Sequence, residues 1–240
     1  MKVINYILEY SDLKIYQDTE MFNFSLDSIL LPNFVTLNAK VKNILDIGTG
    51  NAIIPIILTT KTKASIDAVE LQKEVYQLGK ESIELNNLQN QINIYNNDIK
   101  EFAKNIESDT YDTITCNPPF FKVEETNRFN DNEYKTIARH EVTLNLEEVI
   151  KIARKLLKNN GNLALVHRTD RLIDIIELMR KYNIEPKKIR LVYPKENKES
   201  NILLIEGVKN GKPGIKILPP LISHNEKDEY TEEIKNYFKD

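Results

Sequence analysis

Two consecutive prolines close one of the most β-prone stretches of this chain, and they limit its fold more than any other feature. Tyr111-Asp112-Thr113-Ile114-Thr115-Cys116 is a short β-branched run and reads as a buried strand. Asn117-Pro118-Pro119-Phe120 follows at once. Proline has no N–H and a fixed φ, so the strand must stop there in a stiff corner. In open α/β sheets the carboxyl ends of the strands are where ligands bind. This corner offers an Asn amide, a proline carbonyl and an aromatic face. An amide oxygen and a carbonyl can both accept hydrogen bonds from a single –NH2 group. Double prolines also end strands in loops with no further role. What decides between these is whether the rest of the chain builds a site facing the corner.

The chain is organised as alternating strands and helices. Strand-like runs at Asn43–Gly48, Ser65–Glu70, Ile92–Tyr95, Tyr111–Cys116 and Leu163–Val166 are interleaved with helical patterns at Ala52–Leu58, Lys73–Asn86, Leu146–Leu157 and Leu172–Tyr182. This alternation predicts a doubly wound, mostly parallel α/β sheet covered by helices on both faces. Ile189–Tyr193 and Asn201–Val208 read as two closing strands. Before the sheet, Leu13–Tyr16 and Met21–Phe24 read as short strands, and Ser25 is a candidate N-cap for the helix that follows. Gly161 is a candidate helix C-cap, and Asp228–Phe238 reads as a final charged helix. Lys122–Arg139 is polar and has no clear period. The expected division is an N-terminal hairpin and helix acting as a lid (1–40), a catalytic domain (41–210), and a C-terminal tail with a helix (211–240).

Composition narrows the setting. Of 240 residues, 41% are hydrophobic and 29% charged, as in globular proteins that fold in water. No run approaches the length of a membrane span. The opening residues lack the apolar core of a signal peptide, and Cys116 is the only cysteine, so no internal disulfide can form. A cytoplasmic location is expected. A net charge of −3 does not advertise nucleic-acid binding and does not exclude it.

The glycines after the first main strand supply a second constraint. Asp46-x-Gly48-x-Gly50 joins that strand to a helix, and its glycines allow a tight turn and close approach of the backbone to a ligand. A dinucleotide loop would place Gly or Ala at position 53, where this chain has Ile53, so a nicotinamide or flavin is disfavoured. Glu70 closes the second strand about 20 residues on, where an acid can accept hydrogen bonds from ribose hydroxyls. Asp98 follows the third strand and can accept from an adenine amine. Each acid alone is commonplace. Asp46, Glu70 and Asp98 together form a pocket favouring a cation, in register with the glycines and the proline corner. His140 and His167 lack partners at metal-ligand spacing, so no metal is expected.

This set of residues resembles the class I S-adenosylmethionine-dependent methyltransferases, and Asn117-Pro118-Pro119-Phe120 looks like the signature of their amino-methylating branch. The resemblance implies a Rossmann-like sheet with a closing antiparallel strand. It also implies that Asp46, Gly48 and Gly50 hold the methionine moiety, Glu70 the ribose, and Asp98 with the Ile99 backbone the adenine. Ala52 departs from the family, many of whose members have a third glycine there. Phe22-x-Phe24-Ser25-Leu26-Asp27-Ser28-Ile29-Leu30-Leu31, Ala138-Arg139-His140-Glu141 and the stretch from Val192-Tyr193-Pro194-Lys195 through Leu204-Ile205-Glu206-Gly207 look like bacterial enzymes that methylate adenine N6 in the anticodon loop of a valine tRNA. That narrower likeness places Asp27 near the cofactor and makes tRNA the expected partner. It assigns chemistry to Asn117, Pro118 and Phe120, with Asn117 also beside the cofactor, and substrate contact to Phe120, Phe121, Arg139 and His140. Related enzymes with the same corner methylate guanine N2 in ribosomal RNA or a glutamine side chain in release factors, and a planar amide suits the corner as well as a base does. A non-catalytic nucleotide-binding module would not need Asn117 and Phe120 beside the acids.

Overall fold

A computed structural model describes residues 2–7, 13–18, 25–118 and 144–238. The main sheet starts with β3 (Asn43–Ile47), followed by α2 (Ile53–Lys61), β4 (Ser65–Glu70), α3 (Lys73–Leu85), β5 (Ile92–Asn96), α4 (Ile99–Lys104) and β6 (Tyr111–Cys116). It continues through α5 (Leu146–Leu156), β7 (Leu157–Arg168), a 3-10 turn (Thr169–Arg171), α6 (Leu172–Lys181), β8 (Ile184–Tyr193) and β9 (Ile202–Lys209). Ahead of it lie β1 (Lys2–Tyr6), β2 (Lys14–Asp18) and α1 (Leu26–Phe34). After it come β10 (Lys216–Ile217), β11 (Leu221–Ile222) and α7 (Glu232–Asn236). The strand order is β10-β8-β9-β7-β6-β3-β4-β5, with β11 also paired to β8. β5, β4, β3, β6 and β7 are parallel neighbours, and β9 runs antiparallel between β7 and β8.

Both faces of the sheet are apolar because side chains alternate along each strand. Ile44, Ile66, Ala164 and Val166 face a core shared with α1, α2 and α7. Leu45, Ile114, Leu163 and Leu165 face a second core with α4, α5 and α6. Helix α5 shows how its sequence sets an end and a face. Asn145 and Glu148 form a reciprocal capping box, and Val149, Ile150, Ala153 and Leu156 make the buried stripe.

Several local expectations are corrected. The strand pairing with β2 is Lys2–Tyr6, while Met21–Phe24 and Lys122–Arg139 lie outside the described residues. β8 begins at Ile184 rather than Ile189, because Pro186 is accommodated at a register shift against β9. β7 begins at Leu157, directly after α5, so Gly161 caps no helix; an added Cβ there would meet the Asp112 carbonyl at 3.0 Å, and Asn160 takes the left-handed φ of 64°. The last helix covers only Glu232–Asn236, since Asp228 has a φ of 61° and Tyr230 bridges to His224.

Candidate active site

Parallel pairing brings the carboxyl ends of four strands to one edge. Ile47 sits opposite both Val69 and Cys116, and Glu70 sits opposite Asn96. At or just beyond these positions lie Asp46 and the Gly48–Ala52 loop, Glu70, Asp98 and Asn117, gathered as their spacing implies.

The glycine loop wraps the end of β4. The Gly48 and Thr49 N–H groups donate to the Val69 carbonyl at 2.9 and 3.1 Å, and Gly50 N–H donates to Glu70 Oε2 at 3.0 Å. Gly48 and Gly50 have φ of 66° and 61°, which glycine adopts at little cost, and a Cβ built on either meets nothing within 4 Å. The loop therefore presents bare backbone to open space. Ala52 carries a φ of 67° as well, so its departure from glycine costs backbone strain on the order of 1–2 kcal/mol rather than space.

Glu70 is buried, and its second oxygen accepts from the Gln72 N–H at 2.8 Å. Each carboxylate oxygen thus has one lone pair engaged in shaping the loop and one remaining. Asp98 sits at the N-cap of α4, accepting from the Lys100 N–H at 2.7 Å. Ile99 is the first helical residue, so its N–H has no partner within the helix.

Asp46 is the most constrained group of the site. It is fully buried, and Oδ1 accepts from the Thr115 hydroxyl at 2.6 Å. Its Oδ2 and the nearby Thr49 hydroxyl are both buried and make no hydrogen bond of strict geometry, although Thr49 still acts on the carboxyl to lower it. Burial pushes the Asp46 carboxyl up to about 7, against the opposing hydroxyls of Thr115 and Thr49. A buried carboxyl beside bare glycine backbone, with Glu70 and Asp98 at the ends of the neighbouring strands, fits the cationic and hydroxyl-bearing groups of S-adenosylmethionine.

The N-terminus of α1 reaches this edge from above. Asn117 Nδ2 donates to Ser28 Oγ at 3.3 Å, which turns the amide oxygen the other way. Ser25 occupies the N-cap position of α1, but its hydroxyl donates to Asp27 Oδ2 at 3.0 Å instead of capping the backbone. Burial raises the Asp27 carboxyl above its ordinary range, opposed by that hydrogen bond and the positive charge of Arg168. Ser28, Thr115 and Thr49 were not singled out by their sequence context, and only their place in the fold marks them. Pro118 is buried; Pro119, Phe120, Phe121, Arg139 and His140 lie outside the described residues.

The basic groups divide by role. His167 is buried rather than solvated, and that burial lowers it to about 4. Lys188 donates to the Phe34 carbonyl and Thr36, and Arg190 to Pro219, Tyr237 and Glu233, so both are structural. Lys158 pairs with Asp112 and Arg171 with Asp174. Among the described residues no group of three or more His, Cys, Asp or Glu side chains is placed to hold a metal, and no helix is long and apolar enough to cross a membrane.

A doubly wound sheet with one antiparallel closing strand, a glycine loop and strand-end acids defines a class I methyltransferase fold, and comparison with known proteins agrees. A predicted O-methyltransferase from Agrobacterium tumefaciens superposes with a TM-score of 0.68 over 89% of this chain and 97% of its own, at 18% identity. The family model for the methyltransferase small domain matches residues 25–182, and the chain belongs to that family. Among curated relatives, a tRNA1(Val) (adenine(37)-N6)-methyltransferase from Christiangramia forsetii is 29% identical over 238 residues, covering 98% of this chain and 97% of that one. The protein of the same name from Parabacteroides distasonis is 28% identical over 206 residues, covering 84% and 83%.

Proposed function

We propose that this protein transfers a methyl group from S-adenosylmethionine to the exocyclic N6 amine of an adenine in tRNA, within the anticodon loop of a valine tRNA, and that it does so in the cytoplasm. The observation that carries the reading is the Asn117–Pro118 corner, set at the same sheet edge as the Asp46–Gly50 loop and Glu70. The names borne by its relatives, matched over nearly the whole chain, favour adenine in tRNA over guanine N2 or a glutamine amide.

Asp46 and the Gly48–Gly50 backbone would hold the amino-acid end of the cofactor, Glu70 the ribose, and Asp98 with the Ile99 N–H the adenine. Asp27 closes the site from α1. When bound, S-adenosylmethionine supplies an electrophilic methyl group on a sulfonium. An amine conjugated to an aromatic ring is a weak nucleophile, and the chain compensates by placing it. The Asn117 amide oxygen and the Pro118 carbonyl accept its two N–H groups, aim its lone pair and stabilise the positive charge that builds on nitrogen. Well-aligned reactants gain roughly 7–11 kcal/mol from positioning alone. No strong base is required, because the methylated ammonium is acidic. Phe120, Phe121, Arg139 and His140 are assigned to the substrate side.

Incubation with radiolabelled S-adenosylmethionine and, separately, bulk tRNA, ribosomal RNA and a release factor tests this reading. Label is expected in tRNA; label confined to protein or to ribosomal RNA would refute it.

A further inference from the structure

The sheet order also says where the remainder of the acceptor must lie. The glycine loop and Glu70 occupy the ends of β3 and β4, and Asn117 ends β6. Methyl transfer requires the acceptor nitrogen to enter opposite the leaving sulfur. With the cofactor over β3 and β4, the acceptor extends over the ends of β7, β9 and β8. A shallow, open depression lies there, lined by Thr169, Asp170, Leu191, Tyr193, Lys198 and Glu199 among others. Thr169 follows the end of β7, the strand paired directly with β6.

The walls have a definite chemistry. The Thr169 and Ser200 hydroxyls bond across the depression at 2.9 Å, tying the 3-10 turn to the β8–β9 connection. Leu191 and the half-buried Tyr193 supply an apolar and aromatic surface. Asp170, Lys198 and Glu199 form no ion pair among the described residues, unlike the paired Lys158, Arg171, Lys188, Arg190 and Lys209. Asp170 and Glu199 accept hydrogen bonds from an amino group, Lys198 offsets one of their two charges, and a tyrosine ring stacks on a base.

We infer that this depression binds a nucleobase flanking the methylated one and prefers a base bearing an exocyclic amine. The inference rests on the RNA reading above. It is tested by steady-state methylation of an anticodon stem-loop RNA by the wild type and the Tyr193→Ala, Tyr193→Phe and Asp170→Asn variants. Tyr193→Ala should raise KM for RNA roughly 5- to 150-fold, the worth of one base stack, and leave KM for S-adenosylmethionine unchanged. Tyr193→Phe keeps the ring and should behave as the wild type. Uracil in place of one flanking base should weaken wild-type methylation, and that penalty should shrink in Asp170→Asn. If the wild type methylates the RNA and Tyr193→Ala matches its KM for RNA, or loses cofactor affinity equally, the depression is not a base site. If the wild type methylates no RNA, the RNA reading falls and the inference falls with it.

Discussion

Asp46 holds a carboxyl where water cannot reach it. A carboxyl whose folded value lies above its unfolded one holds its proton more tightly in the folded chain. Its contribution to stability is complete below the unfolded value near 4 and is lost as pH rises to about 7. The cost above pH 7 is of the order of 4 kcal/mol before relaxation. His167, lowered to about 4 by burial, acts in the opposite direction, so the folded state gains stability as pH rises toward 6.5. Asp46→Asn isolates the first effect. In the cofactor-free protein at pH 8 it should raise Tm by several degrees, and below pH 4 it should change little. The same variant should weaken S-adenosylmethionine binding roughly 10- to 150-fold, the worth of a charge-assisted hydrogen bond. A lower Tm at pH 8 would show that the buried charge is already compensated. Asn117 separates binding from chemistry. Asn117→Ala should lower kcat about 10²- to 10³-fold while leaving the cofactor Kd within a factor of two, as measured by calorimetry. Loss of cofactor binding would mean that the side chain shapes the cofactor pocket instead.

At the scale of elements, α3 supports the glycine loop from behind. A Cβ added at Gly79 would meet the Gly50 carbonyl at 2.9 Å and Ile94 Cδ1 at 2.8 Å. Ile94 can rotate, whereas the backbone carbonyl cannot move without shifting the loop. Gly79→Ala should therefore weaken cofactor binding at least tenfold, by calorimetry, although Gly79 touches no ligand; unchanged affinity would show that the loop is free to shift. These contacts also show which elements can be recognised without a structure. β3, β4, β6 and β7 are buried on both faces, so their apolar runs announce themselves. β1 alternates exposed and half-buried residues and offers no such run, and Pro186 masks the start of β8. The six-residue α4 is too short to show a period. Within the proposed site, the gathering of Asp46, Gly48, Gly50 and Glu70 at one sheet edge is legible, because each stands at the end of a recognisable strand. Ser28 and Thr115 are not, because hydroxyl residues occur throughout any chain and only tertiary contact assigns them a partner.

Across the whole molecule, the two flanking segments both pack toward the main sheet. β2 docks on α3 through Tyr16 N–H to Ser82 Oγ at 2.9 Å, and the Asn51 amide reaches the Tyr16 carbonyl at 3.3 Å, linking the hairpin to the glycine loop. At the other edge β10 and β11 extend the sheet beyond β8, and α7 buries Ile234 in the core shared with α1. The N-terminal elements thus flank the proposed cofactor side, and the C-terminal ones brace the strands that carry the proposed acceptor side. The proposed reaction at the corner is methylation of the N6 amine of an adenine in tRNA. Its most direct test is to digest tRNA to nucleosides after reaction with S-adenosylmethionine and the wild-type protein. N6-methyladenosine is the expected product, formed about 10²- to 10³-fold more slowly when Asn117→Ala replaces the wild type; N2-methylguanosine, or no methylated nucleoside, would contradict it.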